Sequence, residues 1–199
     1  MNKHEQALYD YMSEPANFST ACEVAEKLPW LKRELIASFW NEMDGLLLER
    51  LALELPGWKT FKDDNLFEKH SKFGIYNEGW DFDKPDENPV GLCFESISGM
   101  DGKLFIGFAI DGNNKYYDLK AIHKAFEGTE LQKRLTHHND WWLFGKYLNP
   151  HFANNQTLMQ ILPATRGPLM QELMGMMITL AKELEAEVDV LALLSQSRL

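Results

Sequence analysis

The sequence predicts an α+β fold: a small antiparallel sheet of about three to four strands, packed with an N-terminal helical pair and a long C-terminal helix. Three observations carry this. A broad apolar stripe at three- to four-residue spacing runs from Leu31 to Leu51. Two short apolar runs bounded by turn residues, "PVGLCFESIS" and "KLFIGFAID", follow in the middle of the chain. A second amphipathic stripe, Leu169 to Leu191, comes near the end. The chain has 199 residues, 45% hydrophobic and 12% aromatic, enough for a sizeable core, and reads as a single domain over 1–199.

Each element has a local reason. Residues 1–28 form a helical segment: "HEQALYDYM" makes a short helix that Pro15 ends, and "STACEVAEKL" offers a capping box. There Thr20 would accept from the Glu23 amide while the Glu23 carboxylate reaches back. Pro29, tolerated in a first turn, opens a long helix over 29–56. Its stripe is Leu31, Leu35, Phe39, Met43 and Leu47, widened by Ile36 and Trp40, and Pro56-Gly57 ends it. The sheet region covers 66–150. "SKFGIYN" alternates, and the two apolar runs are joined by "GMDG", whose glycines supply the positive φ of a tight hairpin. In the second run Leu104, Ile106, Phe108 and Ile110 face one side, while Phe105, Gly107 and Ala109 make the other side apolar too. That strand is therefore expected to be central and covered on much of both faces. "YYDLKAIHKAFEG" gives a helix at 117–127, with Asp118 a good N-cap and Gly128 a left-handed cap. "WWLFGKYL" reads as a strand, "NNQTLMQIL" fits either state, and a helix over 168–195 follows Gly167.

Composition narrows the function. The net charge of −10 gives no overall counterion-release gain on DNA, so direct nucleic-acid binding is not expected. An acidic surface suits a protein partner with a basic groove. Cys22 and Cys93 are the only cysteines and read as small buried hydrophobes. "MNKHEQALYDYM" lacks the apolar core of a signal peptide, and no run approaches ~18 apolar residues, so a cytoplasmic protein without a membrane partner is expected. No Walker A, GxGxxG, GxSxG or Cys–His arrangement appears, and no cofactor is expected.

The stretch "HHNDWWLFGKYLNPHF", residues 137–152, concentrates polar and aromatic side chains. In an extended chain His137 and His138 point to opposite faces, which suits a shared metal ion poorly even with Asp140 nearby, so no metal is expected. The same alternation splits Trp141 from Trp142: one ring enters the core and the other an interface. Upstream, "GWDFDKPDENP" gathers Asp81, Asp83, Asp86 and Glu87 beside Trp80. The spacing of an EF-hand is absent, leaving a solvated acidic loop or a patch for a basic partner. Pro85-Asp86 followed by Asp118-Leu119-Lys120 matches a PD-(D/E)XK nuclease pattern, in which the acids hold Mg²⁺ and the lysine orients water. The context is wrong, because that lysine motif should end a buried strand. Met170, Met174, Met176 and Met177 cluster on the last helix, as core filling or as an adaptable partner surface.

Three stretches together resemble an accessory C-terminal region of bacterial PD-(D/E)XK nucleases: "LKRELIASFWNEMDGLLLERL" with "LPGWKTF", "KLFIGFAIDGNNKYYDLKAIHKAF" and "NDWWLFGKYL". Related regions occur in bacterial and phage conflict systems. The nuclease domain that precedes such regions has no counterpart here, so no catalytic residue is carried over. The resemblance implies a recognition part without the nuclease. The expectation is a non-catalytic interaction module in bacterium–phage conflict, defence or anti-defence, binding a protein or nucleoprotein partner. Its contact residues would be Trp80, Asp81, Asp83, His137, His138 and one of Trp141 or Trp142. Two alternatives stand beside it: a small Mg²⁺-dependent nuclease using Asp86, Asp118 and Lys120, and a homodimeric structural protein whose last helix pairs with its twin.

Overall fold

The computed structural model describes residues 1–80, 90–110, 118–190 and 192–193. The architecture is α+β, with helices toward both ends of the chain and an antiparallel sheet between them. The chain divides into two compact units, Met1–Leu35 and Ile36–Leu199, and the second helix, α2 (Pro15–Glu54), contains the boundary.

The first unit begins with α1 (Lys3–Met12). Its capping box lies at Asn2 and Glu5, not at Thr20 and Glu23: Asn2 Oδ1 accepts from the Glu5 amide at 2.9 Å, and Glu5 Oε2 accepts from the Asn2 amide at 2.7 Å. Pro15 sits at the first position of α2, where its missing N–H costs no bond. Thr20 lies inside α2 and donates its hydroxyl to the Ala16 carbonyl at 3.0 Å. Pro29 also lies inside the helix instead of opening it. Strong helix formers flank it (Ala25, Glu26, Lys27, Leu28 before; Leu31, Lys32, Arg33 after), and they carry the helix across the lost backbone bond. No residue of this unit is buried, and Cys22 is exposed instead of packed.

In the second unit Ile36, Phe39, Trp40, Met43, Leu47 and Leu51 are the buried stripe of α2, and Gly57, at φ +92°, turns the chain after it. Among the described residues five strands follow: β1 (Trp58–Lys62), β2 (Lys72–Asn77), β3 (Gly91–Glu95), β4 (Lys103–Ala109) and β5 (Trp142–His151). They lie in sequence order, each antiparallel to the next. The expected count of three to four missed β1, since "WKTFK" is a polar-interrupted edge strand with no apolar run of its own. β4 is interior, between β3 and β5. The 96–102 connection is longer than a tight hairpin. Only Gly99 in it takes a positive φ (+95°), and the Met100 amide ties the loop to the Leu66 carbonyl at 2.7 Å.

One face of the sheet is the helix side. There Trp40 meets Phe73, Phe94 and Phe152 at ring distances of 5.2, 5.8 and 5.3 Å. Phe108 meets Trp80, Phe126 and Phe144 at 5.7–5.8 Å. The closing helix, α6 (Gly167–Glu187), ends earlier than expected because Val188 is already extended. Its Leu169, Leu173, Met177 and Leu184 are buried, as are Met170 and Met174, so these side chains pack within the chain's own fold. Between β4 and α6 lie α3 (Leu119–Phe126), α4 (Glu130–Arg134) and α5 (Asn155–Gln160). Gly128, at φ +79°, follows α3 as expected. Among the described residues no helix is long and apolar enough to cross a membrane.

Candidate functional site

The second face of the sheet carries the site. Strand pairing puts Lys72, Glu95, Phe105 and Tyr147 in one row across β2, β3, β4 and β5, and Phe61, Gly74, Cys93, Gly107 and Gly145 in the next. Alternation sends these side chains away from the helices. The glycines are spatial requirements. A Cβ on Gly145 would lie 2.2 Å from the Phe105 ring, and one on Gly107 would lie 2.8 Å from the Trp142 ring. Aromatic rings thus lie across bare backbone, as strand glycines allow.

Above this floor is a cavity of about 440 Å³. Phe105 is its hub, with ring centroids of Trp142, His137 and Tyr147 at 4.6, 5.1 and 5.2 Å, all edge to face. Trp141, Ile97 and Asn139 continue the wall. Trp141 is 44% and Tyr147 46% exposed, whereas Trp142 is 6% exposed. Asn139 enforces that split. Its Oδ1 accepts from the amides of Trp141 and Trp142 at 2.9 and 3.1 Å, closing a turn that sends the first ring outward and the second into the face. The His137 amide donates to the Gly145 carbonyl at 3.0 Å, which pins His137 along β5.

The polar end is His70, Lys72 and Glu95. His70 Nδ1 stands 2.9 Å from Glu95 Oε1, and Lys72 Nζ stands 4.0 Å from Glu95 Oε2. His70 holds φ +63°, unusual for a residue with a side chain, and its amide donates to the Ser96 carbonyl at 3.1 Å. Behind the rings, burial pushes the Cys93 thiol far up, so it stays protonated and offers no nucleophile.

The expected contact residues fall in different places. His137, Trp141 and Trp142 come together in the cleft. His138 is exposed and does not line it; with Asp140 it acts electrostatically on His123. Trp80 is 7% exposed and packs on Trp58 and Phe108, so its ring is core and not contact surface. Asp81, Asp83 and Asp86 lie outside the described residues. Asp118 caps α3, accepting from the amides of Lys120 and Ala121 at 3.0 and 3.2 Å, and Lys120 is exposed on that helix. Among the described residues no group of three or more His, Cys, Asp or Glu side chains is placed to hold a metal ion. Sequence reasoning missed Phe105, Tyr147 and the His70–Glu95–Lys72 end. The available signal was the apolar second face of β4 together with glycines inside three strands.

Comparison of the chain with protein-family models, with curated proteins and with solved structures gave no match.

Proposed function

We propose that the protein is a non-catalytic recognition module that engages a protein or nucleoprotein partner through the aromatic cleft. The observation behind this is the pair of exposed rings, Trp141 and Tyr147, standing at the mouth of a ring-floored cavity. Aromatic anchors beside a pocket are the usual carriers of binding energy at interfaces. The protonated Cys93 thiol and a Glu95 carboxylate flanked by two basic groups suit binding better than nucleophilic chemistry. The resemblance to an accessory region of conflict-system nucleases supplies the setting: a cytoplasmic role in bacterium–phage conflict. The test is affinity capture from bacterial extract, with and without phage infection, using wild type, Trp141→Ala and Tyr147→Ala. A partner retained by both variants at wild-type level would sink the reading.

A homodimer is a second reading, with one observation in its favour. In the unit Met1–Leu35, Tyr9, Tyr11, Phe18 and Trp30 are each 58–62% exposed. At about 60% of roughly 150–250 Å² a ring, these four expose on the order of 360–600 Å², and neighbouring leucines bring the area toward the ~800 Å² per partner of a stable interface. Light scattering on the full chain and on a Phe18→Ser, Trp30→Ser variant would show a dimer lost in the variant, or a monomer in both.

A further inference from the structure

The row Lys72–Glu95–Phe105–Tyr147 places a carboxylate, an ammonium and two rings along about 15 Å of one sheet face. Glu95 Oε1 already has the His70 imidazole at 2.9 Å. Among the described residues, its Oε2 is paired with the Lys72 ammonium at 4.0 Å, an ion pair beyond hydrogen-bond length. One end of the cleft therefore offers a carboxylate oxygen beside a cationic donor, and aromatic side chains line the walls. His70 keeps an unfavourable left-handed backbone at that end, the kind of strain that gathers at ligand sites.

The ligand that matches is flat, carries adjacent N–H donors on one edge, and has an acceptor next to them. We infer that the cleft binds a guanine base, its N1–H and N2–H donating to Glu95 and its O6 accepting from Lys72, with the ring against the aromatic walls. This rests on the cleft being the contact surface proposed above. Adenine and cytosine set a ring-nitrogen lone pair beside their amine, which would face the Glu95 carboxylate. Uracil has one N–H between two carbonyls. A guanidinium has the right donors and stacks well, but Lys72 would repel it. The cavity of about 440 Å³ lies in the range of small-ligand sites and exceeds what a lone guanidinium fills. With a net charge of −10, the favoured form is a single base, free in a nucleoside or nucleotide or presented by a partner, over a long strand tracked by its phosphates.

The test is calorimetric titration of the full chain with guanosine, inosine, adenosine and arginine amide. Guanosine should bind at one site. Inosine, lacking N2–H, should bind about tenfold more weakly, the loss of one hydrogen bond to a charged group. Adenosine should not compete. Glu95→Gln should weaken guanosine at least tenfold, with the folded state retained by circular dichroism. Lys72→Met should weaken guanosine while leaving arginine amide unchanged or tighter. Parallel titrations with 5′-GMP and a guanine-containing dinucleotide distinguish a free nucleotide from a base within a strand. Equal binding of guanosine and adenosine, no guanosine binding at millimolar concentration, or an indifferent Glu95→Gln overturns the assignment. If arginine amide binds where guanosine does not, and Trp141→Ala still loses the captured partner, the cleft reading stands and the guanine assignment falls. If Trp141→Ala and Tyr147→Ala leave every ligand and the partner unaffected, the cleft reading falls with it.

Discussion

Trp141 and Trp142 are neighbours in sequence and opposites in role, because the Asn139 turn holds one outward and tucks the other against Phe105. Trp142→Ala should cost about 3–5 kcal/mol of stability, the usual range for deleting a buried indole. Trp141→Ala should stay within about 1 kcal/mol of wild type and lose partner binding. Thermal melts beside binding assays check both, and equal stability losses would mean that both rings are core. His123 supplies a second residue-scale prediction. Burial holds its pKa below the ordinary 6.5, with Asp140 raising it and His138 lowering it further. Among the described residues its buried Nε2 has no hydrogen-bond partner. The unfolded chain therefore binds more protons than the folded one just below pH 6.5. The His123 contribution is complete above that pH and lost as pH falls toward the folded pKa. His123→Leu should flatten the stability-versus-pH curve between about pH 7 and 5 in urea titrations; an unchanged slope would assign the pH dependence to other groups.

At the scale of elements, the sheet's second face depends on missing side chains. Gly145→Ala would set a Cβ 2.2 Å from the Phe105 ring and 2.8 Å from the Ile106 carbonyl. Overpacking of this kind costs about 1–3 kcal/mol, and moving Phe105 would also distort the cleft floor. The expected result is a lower melting temperature together with weaker ligand binding. Pro29 is the opposite case, a residue whose removal should help. Inside α2 it forfeits a backbone bond, so Pro29→Ala should strengthen that stretch by up to about 3 kcal/mol, seen as slower hydrogen exchange at residues 25–33. These two positions also show where a single sequence is readable. The stripe from Ile36 to Leu51 and the runs in β3 and β4 were legible because each repeats a period over several residues. β1 was not, since its five residues carry little pattern and gain their strand from pairing with β2. Pro29 taken alone reads as a helix start, but the helix formers on both sides carry α2 through it. The cleft was half legible. Trp141, Trp142 and His137 stood out in one stretch, but Glu95, Lys72 and His70 come from distant segments that only strand register brings together.

At the scale of the whole molecule, a net charge of −10 is a sum that says little about any one face. The second face of the sheet carries Lys59, Lys72 and Lys103, and Lys103 stands 5.0 Å from the centre of the Tyr147 ring. The acids of "GWDFDKPDENP" follow β2 in sequence, after the short turn Glu78–Trp80. If partner binding uses both the cleft and those acids, its two parts answer salt differently. Ring packing is insensitive to ionic strength, whereas attraction between acids and a basic partner across solvent decays once the screening length falls below about 10 Å. Partner affinity should therefore fall as salt rises from about 50 to 500 mM, where that length shortens several-fold. An Asp81→Asn, Asp83→Asn variant should start weaker and show a flatter slope. Trp141→Ala should lower affinity at every salt concentration and leave the slope unchanged. Dissociation constants measured across a salt series for the three proteins check this. Parallel curves for wild type and the double Asn variant would remove the acidic stretch from the interface and leave the cleft as the whole of it.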